Sequence, residues 1–185
     1  MRPSHLLALV PLAATMLAAP SLAHADTYVL AGIGKVPDVG GDFDKLFGGE
    51  DRSSAKLGVG YRFGKIAIEG SVFGANLTNR NAQPIEYGTT SMGAEVKYFI
   101  PITGNLEGAV HGGLHKTWFG TERGASTHDG TGTLLGLGLQ YGFRLPIGSA
   151  AVWLDYTRQG MKLQSQSYDI SGSVGTMMLG LSIGI

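Results

Sequence analysis

His111 and His115 are the residues of this 185-residue chain whose spacing first suggests chemistry. Three intervening positions would bring two imidazoles to one metal ion on a helix. On a strand the pair shares a face but stands about 13 Å apart, at roughly 3.3 Å per residue, so it does not readily hold one ion. Asp155 could serve as an acid, and His128 and Asp129 fall in a polar stretch that reads as a loop. Hydrolysis would also need a nucleophile beside a histidine that a third group orients. No serine stands near these residues in such an arrangement. The stretch PDVGGDFDKLFGGEDR gathers Asp38, Asp42, Asp44, Glu50 and Asp51 without the ordered spacing of a calcium loop. Zero cysteines exclude a thiolate metal site and a disulfide framework. The expectation is no catalytic residue, no metal and no cofactor: a protein that is not an enzyme.

What positions those side chains is legible between Thr133 and Leu145, in TLLGLGLQYGFRL. Leu135, Leu137, Leu139, Tyr141, Phe143 and Leu145 share one parity, and Gly136, Gly138, Gln140, Gly142 and Arg144 the other. Alternation of this kind is a strand with an apolar face and a small or polar face. In a soluble sandwich the second face would meet water, where glycine weakens the strand. In a small membrane barrel it meets a cramped lumen, where glycine fits.

The same parity test yields eight strands and no helical period. They begin with Thr27 to Lys35, of ambiguous parity, and Ala55 to Phe63, with Leu57, Val59, Tyr61 and Phe63 outward. The last runs from Ser173 to Ile185. Short turns near Gly64, Gly104 and Gly148 alternate with longer polar joins over Val36 to Ser54, Asn76 to Gly88, Gly120 to Gly130 and Leu163 to Gly172. Short periplasmic turns and long outer loops alternate in this way in membrane barrels. The fold class expected is therefore all-β: an eight-stranded antiparallel transmembrane up-and-down barrel with four exposed loops. Tyr61, Phe63, Tyr98, Tyr141 and Phe143 sit beside the short turns and would form a periplasmic aromatic girdle. Trp118 and Tyr156 would form a thinner outer belt.

Residues 1–25 read as a secretory signal peptide: Arg2 and His5, an apolar run from Leu6 to Leu17, then Ala23-His24-Ala25 before the expected cleavage. The remaining residues 26–185 suffice for one barrel domain. Once Arg2 leaves, 13 Lys and Arg face 14 Asp and Glu, a balance that argues against nucleic-acid binding. All 30 glycines lie in this part, an excess that a narrow lumen explains.

The strands AKLGVGYRF and TLLGLGLQYGFRL, the segment AVWLDYTR and the closing GTMMLGLSIGI resemble the OmpA-like and opacity-like family of small outer membrane proteins. The resemblance implies a monomer in the outer membrane of a diderm bacterium, exported with a cleaved leader and inserted by the barrel-assembly machinery. The family usually closes on an aromatic residue, and this chain closes on Ile185. It also implies envelope integrity and adhesion as roles, with host or cell-surface ligands met by the loops. The alternative role is a narrow or gated channel for small solutes. Some small barrels of that membrane act on lipid A, but they need the nucleophile, histidine and carboxylate that are not recognisable here.

Eight strands leave room only for their own side chains, so a general porin is not expected. The lumen parity carries Arg62, Lys97 and Arg144 against Glu69, Glu95, Glu107 and Asp155, with His111 and His115 in register. Charges withdrawn from water need partners, and this balanced set predicts an ion-pair network that plugs the tube. Lys116, Arg158 and Lys162 near the outer rim are the candidates for contact with the phosphates of lipopolysaccharide, together with loop residues Lys45, Arg52, Arg80 and Arg123. Leu46, Phe47, Ile85, Tyr87, Tyr168 and Ile170 are apolar loop residues able to meet a partner surface.

Overall fold

The computed structural model describes residues 25–46, 52–78, 86–121, 128–146, 148–164 and 169–184. Eight strands close into one antiparallel barrel in sequence order: β1 (Ala25–Gly41), β2 (Ser53–Phe63), β3 (Ile66–Thr78), β4 (Glu86–Thr103), β5 (Leu106–Thr121), β6 (His128–Arg144), β7 (Ser149–Gln164) and β8 (Asp169–Gly184). A short helix, α1 (Asp42–Leu46), follows β1. Closure comes from β1 pairing with β8, from Tyr28 opposite Gly184 up to Gly41 opposite Gly172. Closure matters because a sheet edge in lipid would leave backbone donors and acceptors without partners. The turns at Gly64 and Gly104 each start on a glycine with positive φ, 63° and 53°, where a side chain would be strained.

Along β6 the outward residues Leu135, Leu137, Leu139, Tyr141 and Phe143 are all exposed, as is Leu145 just beyond its end. Ten residues at roughly 3.3 Å each, tilted about 40°, give an apolar band about 25 Å tall, the height of the outward apolar band of outer-membrane barrels. Outward positions on other strands, such as Leu114 on β5 and Leu179 on β8, are exposed as well, at 69% and 56%. Tyr61, Phe63, Tyr98, Tyr141 and Phe143 lie outward at the short-turn end of this band. Tyr61 and Phe63 have ring centroids 6.3 Å apart. Tyr156 and Trp118 lie outward toward the opposite end, both half-buried.

Above the band the polarity of the wall reverses. On β5, Lys116 faces out while Thr117 and Phe119 are buried inside. On β6, Asp129, Thr131 and Thr133 face out, and on β8 Ser171 and Ser173 face out while Val174 and Met178 are buried. The interior at this level is an apolar core of Val36, Phe43, Phe73, Leu77, Phe119 and Met161, among others. Phe43, brought in by α1, stacks on Phe119 at 6.4 Å. The lower wall is greasy outside and ionic inside; the upper wall is wet outside and dry inside.

That reversal corrects the outer boundaries expected from sequence. The strands run several residues further than the parity test for lipid allowed, because a wall with a polar exterior reads as loop. His128 and Asp129 open β6 rather than lying in a loop, and Val36 to Gly41 continue β1. The ambiguity of the first strand has its own cause. Between Lys35 and Asp38 the pairing with β8 shifts by one residue, a bulge at Pro37 that flips which parity faces inward. Val36 is buried below it and Asp38 lies outward above it. Residues 1–24 of the expected leader, and the loop residues Phe47, Glu50, Asp51, Arg80, Ile85, Arg123 and Tyr168, lie outside the described residues, as do the side chains of Lys45, Leu46, Tyr87 and Ile170; Ala25 opens β1.

Candidate functional site

Glu69 on β3 and Glu95 on β4 are direct cross-strand partners, and both are buried. Two carboxylates so placed repel one another unless a cation lies between them. Lys56 on β2 supplies it, its Nζ 2.7 Å from Glu69 Oε1 and 2.5 Å from Glu95 Oε1. The contact to Glu69 is ionic with poor hydrogen-bond alignment, whereas that to Glu95 is aligned. Lys97 adds a second cation 2.8 Å from Glu69 Oε2, and the Tyr28 hydroxyl donates to the same oxygen at 3.1 Å.

From Glu95 the chain of contacts crosses the lumen. His111 Nδ1 lies 2.5 Å from Glu95 Oε2 and its Nε2 lies 2.9 Å from Asp155 Oδ2, while Thr157 donates to Asp155 Oδ1. Both ring nitrogens face carboxylate oxygens, so each of these two hydrogen bonds needs a proton. With an imidazolium there, Lys56, Lys97 and His111 balance Glu69, Glu95 and Asp155. The ring fits only because β6 has Gly136 beside it, where a Cβ would lie 2.2 Å from His111 Nε2. A separate pair sits nearer the short turns. Arg62 holds Glu107 with two hydrogen bonds of 2.9 and 2.8 Å, stacks over Phe99 at 4.1 Å, and shares Glu107 with Gln140.

Of the seven residues expected to form one lumen network, six take part in ion pairs, divided between these two groups. Arg144 does not: it is exposed at the turn end and makes no ion pair with any described residue. Parity sets which way a side chain points but not its depth, and Arg144 is the last residue of β6. Lys56 takes the place expected for Arg144. Its parity opposite Leu57 and Val59 marked it as inward-facing, and sequence reasoning passed over it. Tyr28 and Gln140 were also missed, Tyr28 because of the uncertain first strand.

Below the network lies a cavity of about 620 Å³, open at the short-turn end, with Tyr28, Lys97 and Asp155 deep in it and Arg144 and Ser149 at its mouth. Above the network the apolar core fills the tube. The lumen is therefore a blind pocket closed first by ion pairs and then by hydrocarbon. His115 belongs to the closed part, its Nδ1 2.8 Å from Thr117 Oγ1, which in turn lies 2.7 Å from Ser91 Oγ. All three are buried. Among the described residues no cluster of His, Asp and Glu is arranged to hold a metal ion.

The outer wall holds the other candidates. Lys116 Nζ lies 2.9 Å from Asp129 Oδ2 and 5.4 Å from the Trp118 ring, with Lys116 and Asp129 about half exposed. Arg158 donates to Ser173 Oγ at 3.2 and 3.0 Å, and Lys162 is exposed. Asp38 accepts a hydrogen bond from the Tyr156 hydroxyl at 3.1 Å on the same outer face.

A closed eight-stranded antiparallel barrel with an apolar band outside and ion pairs inside is the fold of the small outer-membrane barrels. Among solved structures the chain is similar to Neisserial surface protein A, with a TM-score of 0.60 at 13% identity over 89% of this chain and 99% of that one. It is also similar to Ail, the attachment invasion locus protein of Yersinia pestis, with a TM-score of 0.51 at 18% identity over 89% and 100%. A major outer membrane protein from Thermus thermophilus matches with a TM-score of 0.51 at 15% identity over 87% and 99%. At these identities the likeness is one of fold. No protein-family model and no curated sequence matches the chain.

Proposed function

We propose that this chain is a non-enzymatic, monomeric outer membrane protein of a diderm bacterium, akin to the OmpA-like and opacity-like barrels. It is exported with cleavage after Ala25, stiffens the envelope, and carries the four connections at its outer end to host or cell-surface ligands. The doubly crossed lumen is the observation that supports this reading: among the described residues a buried ion-pair network and the core around Phe43 and Leu77 both lie across the tube. Lys116, Arg158 and Lys162 meet the phosphates of lipopolysaccharide at the outer edge of the band, through charge-assisted hydrogen bonds.

Planar-bilayer recording of the purified barrel tests the closed lumen, with no steady conductance expected; exchange of the four outer connections should abolish surface binding while leaving the barrel folded. Steady conductance in the unaltered protein would favour the second reading, a narrow gated channel. What supports that reading is the 620 Å³ cavity, which already carries solvent-accessible space from the turn end to the ion pairs.

A further inference from the structure

Where the wall changes polarity, strands β4 to β6 carry a groove of about 650 Å³ on the outside of the barrel. Two register rows build it. In the lower row Leu114 stands between Ala94 and Thr133, and in the upper row Lys116 stands between Met92 and Thr131. Leu114 and Lys116 thus form a ridge, apolar below and cationic above, flanked by the shorter Ala94, Thr131 and Thr133 and by Met92. The upper row continues through Thr131 to Lys162 on β7 and Ser171 on β8, so ammonium groups flank the Thr131 hydroxyl on both sides. One row higher, Trp118 lies outward between Thr90 and Asp129.

We propose that this groove is a specific site for one molecule of a phosphorylated glycolipid. An acyl chain lies in the apolar lower part beside Leu114 and Ala94. Its phosphate lies between Lys116 and Lys162, with Thr131 donating, and Lys116 exchanges Asp129 for this stronger anion. The sugar ring packs on Trp118 within reach of Asp129, an aromatic platform with a polar neighbour. Lys116 and Lys162 in one row, against the carboxylate Asp129 in the row above, give this stretch of wall the charge complementary to that headgroup. A simple glycerophospholipid offers the phosphate and chains but no ring for Trp118. The proposal rests on the outer-membrane reading above and adds to it a single address and a stoichiometry.

Native mass spectrometry of the mature chain in detergent tests it, with three amphiphiles titrated separately: a bis-phosphorylated acylated glucosamine disaccharide, its dephosphorylated form, and phosphatidylglycerol. The expected result is a one-to-one adduct with the first, bound at least tenfold more tightly than either other lipid. Lys116→Gln with Lys162→Gln should weaken it about tenfold or more, and Thr133→Leu, which fills the groove without changing charge, should weaken it as well. Lys35→Gln, which removes an exposed cation on β1, should leave it unchanged. These positions are exposed, and each variant's circular dichroism and heat-shifted gel migration verify that it has folded. Equal binding of phosphatidylglycerol, adducts of indefinite stoichiometry, or an unchanged affinity in both the lysine and Thr133 variants overturns the site. A barrel that gains heat stability in lipopolysaccharide without a one-to-one adduct would sink this site alone. A barrel that conducts steadily while forming the adduct would sink the closed-lumen reading and leave the site standing.

Discussion

Glu69 and Glu95 face each other across two neighbouring strands with the Lys56 ammonium in close contact with both, so the middle of the barrel is held chiefly by that one cation. Lys97 reaches Glu69 closely but stands 3.8 Å from Glu95.

Lys56→Met should therefore cost on the order of 3 kcal/mol or more, since removal of one partner leaves apposed buried carboxylates. Urea unfolding in detergent micelles, followed by gel shift, reads the change. Adding Glu95→Gln to Lys56→Met should recover part of the loss; no recovery would refute the bridging role.

Arg62 and Arg144 share a parity and should behave differently. Arg62→Ala leaves Glu107 without its bidentate partner and Phe99 without its guanidinium, and should lower stability by about 1 kcal/mol, modest because the pair is part-exposed. Arg144→Ala should stay within about 0.5 kcal/mol of the parent. The same unfolding assay compares them, and equal losses would place Arg144 in the network after all.

Depth in the membrane can be mapped along one strand. Leu137→Arg, in the apolar band, should destabilise by about 2–4 kcal/mol, whereas Thr131→Arg, above it, should cost about 0–1 kcal/mol. Equal costs in lipid vesicles would mean that the outer edge of the band is misplaced.

The upper core should respond like that of a water-soluble protein. Leu77 is fully buried there, and Leu77→Ala should cost about 2–5 kcal/mol. Conductance should nevertheless remain absent, because the ion pairs below still close the tube. A steady current in this variant would show that the apolar core alone is the seal.

How much of this was legible in the residues depended on which solvent each parity faces. TLLGLGLQYGFRL disclosed its strand because lipid outside and a crowded lumen inside make the strongest contrast that alternation can carry. Asp129 and Thr131 hid the outer part of that strand, since an exterior that returns to water looks like loop, and so His128 and Asp129 were misplaced. Pro37 obscured the first strand through a one-residue bulge, a pairing detail that one strand's composition does not contain. Inward orientation was readable for Glu69, Glu95 and Asp155, but their partners were not. That His111 joins β4 to β7, and that Lys56 rather than Arg144 neutralises the centre, follow from strand stagger around a closed sheet.

The reversal of the wall above Thr133 has a mechanical consequence. At about 3.3 Å per residue and a tilt near 40°, β6 rises roughly 18 Å past the oily belt before its first residue. This collar is stiffened by its own packed filling, a firm pedestal beneath the connections at that end. A change in the sequence of those connections should therefore leave the lower, apolar-faced part of the barrel undisturbed.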